Sequence, residues 1–143
     1  MDGKRLKKIL DVSKRVERAR KGELSNARHE QTEALQKLEA AKREERDQLR
    51  ALAESGELDV NALYDRARGL SLAAAQVHKA REHQAAVDQE VMRRETAAFE
   101  AVRDVRKFEI LCDRDREESR LLAKQAEQKT LDETRRPARK ETR

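Results

Sequence analysis

The sequence predicts an all-α protein: an antiparallel two-helix coiled-coil hairpin with a projecting C-terminal helix end. Three observations lead there. Of the 143 residues, 44% are charged, 36% apolar and 2% aromatic, with Tyr64, Phe99 and Phe108 the aromatics. Aromatic side chains supply much of the area that a thick core buries, so a compact globule is excluded. Ala, Leu, Glu, Lys, Arg and Gln dominate, and these are the strongest helix formers. High charge is also a mark of disorder, but here Leu, Val and Ala recur at steps of three and four, as in long coiled-coil helices. The third observation is a single cluster of break signals, "LAESGELD" at residues 52–59, between two long stretches with almost no Gly or Pro.

The first helix is expected over about residues 4–54. Leu6, Ile9, Ser13, Val16, Arg20, Leu24, Ala27, Gln31, Ala34, Leu38, Ala41, Glu45, Leu49 and Leu52 form a stripe along one side of it. Two steps of four around Arg20 read as a stutter that relaxes the supercoil, with Gly22 beside it as a soft spot. A turn over 55–59 follows. Gly56 suits the left-handed residue just past a helix end. Asp59 is placed to cap the next helix, and Leu58 and Leu63 to form a hydrophobic staple across its start.

The second helix is expected over about residues 60–134. Its stripe runs through Leu63, Ala67, Leu70, Ala74, Val77, Ala80, Gln84, Val87, Val91, Ala98, Val102, Val105, Phe108 and Cys112, and is weak at Arg94 and Glu95. Gly69 is a weak point in its first turns, where a kink or fraying that leaves residues 60–68 as a separate short helix is the alternative. Residues 1–134 thus form a single helical hairpin, and 135–143, "RRPARKETR", a basic disordered tail. A short connection makes the helices antiparallel. Folding about Gly56 opposes residues whose numbers sum to roughly 114 and gives a paired rod ~75 Å long at 1.5 Å per residue. Residues 110–134 would then project without a partner, exposing Ile110, Leu111, Leu121, Leu122, Ala126 and Leu131.

Charge is polarised. The net charge is +5. Residues 4–21 hold nine Lys/Arg against Asp11 and Glu17, and residues 135–143 hold five against Glu141. In a hairpin both segments lie at one basic pole, which attracts acidic surfaces or nucleic acid. No aromatic interleaves with "KRLKK" or "RRPARK", so specific nucleic-acid recognition is not expected.

Catalytic, cofactor and metal sites are not expected. There is no Gly-rich phosphate loop. His78 and His83, five apart, fall on different helix faces, and His29 is remote. Cys112 reads as a small seam hydrophobe, with a reactive thiol as the lesser alternative. With one cysteine, no signal peptide and no long apolar run, the chain reads as a reducing, cytoplasmic protein that reaches membranes only through partners.

The opening "LKKILDVSKRVERARKGEL" and the closing "KFEILCDRDREESRLLAKQAEQKTLDE" resemble the FliJ/YscO family of flagellar and type III secretion export proteins. The resemblance implies a non-catalytic coiled-coil stalk or adaptor, located peripherally at the membrane-embedded export apparatus. It would link the hexameric export ATPase to the cytoplasmic domain of the export gate, and serve export chaperones. Carried onto this chain, the ATPase would meet Lys4, Arg5, Leu6, Lys7, Lys8, Ile110, Leu111, Leu121, Leu122 and Leu131. The gate would meet Leu38, Ala41, Glu45, Tyr64, Leu70, Ala74 and His78, although the family's other distal aromatics are missing here. A structural coiled-coil dimer and a basic accessory protein for nucleic acid are the alternative readings.

Overall fold

A computed structural model describes residues 2–54, 56 and 59–140, with side chains through residue 135. Two helices account for almost all of it: α1 over Gly3–Ala53 and α2 over Val60–Lys140, packed against each other as an all-α hairpin.

Both starts are capped by an aspartate. Asp2 Oδ1 accepts from the Lys4 backbone N–H at 3.3 Å, and the Asp2 carbonyl accepts from Arg5 and Leu6. Asp59 Oδ1 accepts from Asn61 N–H at 2.6 Å and Ala62 N–H at 3.2 Å, as its sequence position predicts. Gly56 does not take the left-handed conformation expected of it; no described glycine has positive φ. Six residues separate Ala53 from Val60. Leu58, the other half of the expected staple, lies outside the described residues.

Every buried residue falls on a strict heptad seam with alternating steps of four and three. On α1 it runs Leu6, Leu10, Ser13, Glu17, Arg20, Leu24, Ala27, Gln31, Ala34, Leu38, Ala41, Glu45, Gln48 and Leu52; all but Arg20 are buried or half-buried. There is therefore no stutter at Arg20. The seam takes Leu10, Glu17 and Gln48 in place of the more apolar neighbours Ile9, Val16 and Leu49, and the last two are 42% and 54% exposed. On α2 it runs Arg66, Leu70, Ala73, Val77, Ala80, Gln84, Val87, Val91, Arg94, Ala98, Ala101, Val105, Phe108 and Cys112. Leu63, Ala67, Ala74 and Val102 lie off it and are exposed, and Gly69 sits inside an unbroken helix. A 3.5-residue repeat is what keeps a seam facing its partner in a coiled coil.

The chain divides into two units, and each holds its own stretch of the pairing. In unit 1, Met1–Arg18 with Glu100–Arg143, Leu6, Leu10, Val105 and Cys112 form a buried cluster, with Phe108 and Leu111 packed against it. Gly3 lies close to Asp115, whose Oδ2 would stand 2.6 Å from a Cβ at that glycine. In unit 2, Ala19–Phe99, an Arg66 guanidinium N–H donates to the Ala51 carbonyl, Gly69 lies beside Gln48, and Arg94 reaches Glu23.

The numbers of these opposed pairs sum to 117–118 in both units, not 114. The slip is one helical turn. Arg66 is the first seam residue of α2, its guanidinium reaching the Ala51 carbonyl beside Leu52. Pairing consequently lasts through Asp115, and the bare stretch begins at residue 116 rather than 110. From residue 116 to 135 every side chain is exposed. α2 also remains helical through Lys140, past the point where a disordered tail is expected; Arg, Lys and Ala are good helix formers.

Candidate functional site: the terminal unit and the distal seam

Unit 1 gathers both ends of the chain. By sequence it carries 20 Lys/Arg against 14 Asp/Glu, a net of +6, while unit 2 carries 14 against 15, a net of −1. Lys4, Arg5, Lys7 and Lys8 are all exposed at the start of α1. Leu6 is not available among them: at 4% exposure it belongs to the seam. Leu111 is half-buried against the same cluster, whereas Ile110 is 45% exposed. On α2 an open depression is lined by Arg103, Arg106, Lys107 and Arg114, two acids, and the apolar Ile110 and Leu111. Beyond the pairing, Leu121, Leu122 and Leu131 stand exposed on bare helix.

The distal residues named for the gate divide differently. Leu38 is buried in the seam, and Ala41, Glu45 and Leu70 are half-buried within it. Ala74 and His78, one turn apart, are exposed together, and His78 Nε2 lies 3.1 Å from Glu82 Oε1. Tyr64 is 67% exposed in the first turns of α2. Sequence reading missed the apolar residues around them: Leu49, Val60 and Leu72 are each more than half exposed. The signal was available, since each lies off a strict 3.5 repeat, but their hydrophobicity pulled Leu49 onto the expected stripe.

Polar chemistry in unit 2 is concentrated where the seam is least apolar. Arg94 Nη1 donates to Glu23 Oε2 at 2.8 Å and its Nε to Glu90 Oε1 at 2.9 Å, while Arg20 reaches the same Glu23 oxygen at 3.1 Å. Gln31 Nε2 donates to Asp88 Oδ1 at 2.8 Å. These groups hold one another, and Glu23, Glu90 and Arg94 border a shallow surface depression with Asn26, Ala27 and Glu30. Among the described residues no three His, Cys, Asp or Glu side chains come together as a metal set, and no helix is long and apolar enough to cross a membrane. The arrangement offers binding surfaces.

Comparison with known proteins agrees with that description. The family described as "Flagellar FliJ protein" matches residues 1–142. Among curated proteins and among solved structures nothing matches. With the match running over nearly the whole length of a charge-polarised helical hairpin, the chain belongs to the flagellar FliJ protein family, a component of flagellar protein export.

Proposed function

We propose that this protein is the non-catalytic stalk that links the hexameric export ATPase to the membrane export gate and serves export chaperones. The observation that carries this reading is unit 1, where both chain ends, a net charge of +6 and a bare helix over residues 116–135 occur together. A helix that displays Leu121, Leu122 and Leu131 without an internal partner is poorly stable alone and suited to a partner's groove. The ATPase is assigned to this unit, through Lys4, Arg5, Lys7, Lys8, Ile110 and the three bare leucines. The gate is assigned to the exposed distal residues Tyr64, Ala74 and His78, with Leu72 added from its exposure. The protein works at the cytoplasmic face of the export apparatus.

Deletion of residues 116–143 tests the assignment. The shortened chain keeps every seam layer and is expected to retain cooperative unfolding while losing capture by the purified ATPase. Undiminished capture would show that the ATPase contact lies elsewhere.

A further inference from the structure

The start of α1 is dense in cations. Residues 3–18 carry seven Lys/Arg against Asp11 and Glu17. Among the described residues none of the seven side chains has an ion partner: Lys4, Arg5, Lys7, Lys8, Lys14, Arg15 and Arg18 all point into solvent. In unit 2, Arg20, Arg28, Lys42, Arg93 and Arg94 each sit within 4.0 Å of a glutamate, and the cations that do not, such as Lys37 and Arg43, are interspersed with acids, so that the unit's net charge is only −1. A helix that leaves this much charge unneutralised is complementary to something anionic outside the chain.

Apolar residues lie among these cations. Val12 and Val16 are 57% and 42% exposed, and Ile9 is half-buried. At 100° per residue, Arg5, Ile9, Val12 and Val16 share one flank of the Leu6–Leu10 seam, and Lys8 and Arg15 border it. A basic face with an apolar strip is the pattern of helices that lie in the headgroup layer of a bilayer. The first aromatic in the chain is Tyr64, so α1 itself carries no ring on which a base could stack. The cations are spread over a convex helix surface rather than gathered round a pocket, which fits a laminar anionic surface better than one carboxylate or phosphate.

We propose that the α1 face bearing Arg5, Lys8, Val12, Arg15 and Val16 is a peripheral docking surface for a bilayer containing anionic phospholipid. The contact is direct, where sequence reading expected membranes to be reached only through partners; Arg5 and Lys8 also belong to the surface assigned to the ATPase, so bilayer and ATPase compete for this end of α1.

The full chain would be sedimented with vesicles of phosphatidylglycerol mixed with phosphatidylcholine, and with phosphatidylcholine vesicles alone. Binding is expected to the mixed vesicles only, and to weaken as salt rises. Removing charge with Arg5→Gln, Lys8→Gln and Arg15→Gln should weaken it about fivefold per cation, whereas Lys37→Gln with Arg43→Gln in unit 2 should change little. Val12→Ser with Val16→Ser should lower vesicle partitioning while leaving retention on RNA unchanged. All of these side chains are exposed, so helicity by circular dichroism should not move. Equal sedimentation with phosphatidylcholine alone, no sedimentation at low salt, equal loss from the unit 2 pair, or no effect of the valine changes would each overturn the proposal. Capture of RNA without capture of mixed vesicles would overturn it in favour of nucleic acid.

Discussion

Long polar side chains on this seam face small or aliphatic ones. With the observed register, Glu17 opposes Ala101, Arg20 opposes Ala98, Leu24 opposes Arg94, Gln84 opposes Ala34 and Glu45 opposes Ala73. An alanine leaves room for the aliphatic stem of a Glu or Arg to lie across the seam while its head group reaches water. This explains how a seam with so many polar members leaves no buried side-chain polar atom unpartnered among the described residues. The ion pairs of Arg94 are more than a third exposed, so each contributes at most about 1 kcal/mol. Stability must come from the aliphatic layers. Leu38→Ala is accordingly expected to cost roughly 2 kcal/mol in denaturant unfolding, at the lower end for leucine because a two-helix seam collapses readily. The neighbouring Leu35, 43% exposed, should change by less than about 0.5 kcal/mol on the same substitution.

At the level of the elements, each helix owes its limits to local chemistry. Asp59 gives α2 a defined first turn, and Asp59→Ala should lower stability by about 1 kcal/mol, read as a drop in the unfolding midpoint. Gly22 lies in the middle of α1, with nothing within 4 Å of where its Cβ would stand. Gly22→Ala should therefore stabilise the protein by about 1 kcal/mol, the helix-propensity difference with no steric cost. A thermal melt that failed to rise would mean that the flexibility of Gly22 is offset by a cost the helix geometry does not show. The bare segment over residues 116–135 behaves oppositely: its removal costs no packing, because no side chain there is even half-buried.

For the molecule as a whole the register is the decisive quantity. It determines which residues of α1 and α2 share a layer, and hence where pairing ends and the bare helix begins. Leu6 and Cys112 belong to one buried cluster in unit 1 and oppose each other in the observed register. Leu6→Cys should therefore form a disulfide with the native Cys112 on mild oxidation, since bonding requires Cα atoms less than about 7 Å apart. In a register one turn shifted, residue 6 would oppose Phe108 instead. In unit 2, Leu38→Cys with Ala80→Cys should likewise close on Cys112→Ser protein, while Leu38→Cys with Gln76→Cys should stay reduced. The opposite result would restore the symmetric fold about Gly56.

The helical class, the single break, the Asp59 cap, the polarised charge and the family resemblance were all legible in the amino-acid order, because each depends on neighbours within a few residues. Which member of an adjacent pair enters the seam was not. Ile9 and Leu10, Val16 and Glu17, or Leu49 and Gln48 differ by one position, and local hydrophobicity favours the wrong one in the last two pairs. The candidate site shared that fate: Lys4, Lys7, Lys8, Leu121 and Leu122 are exposed as sequence reading required, but Leu6 and Leu38 are withdrawn into the seam. Sequence alone determined that there would be two helices, with basic segments near both ends of the chain. Only the packing of one helix on the other decided the register, because it is set by fourteen layers meeting at once. No single turn residue encodes that sum, and a one-turn slip about Gly56 leaves every local signal unchanged.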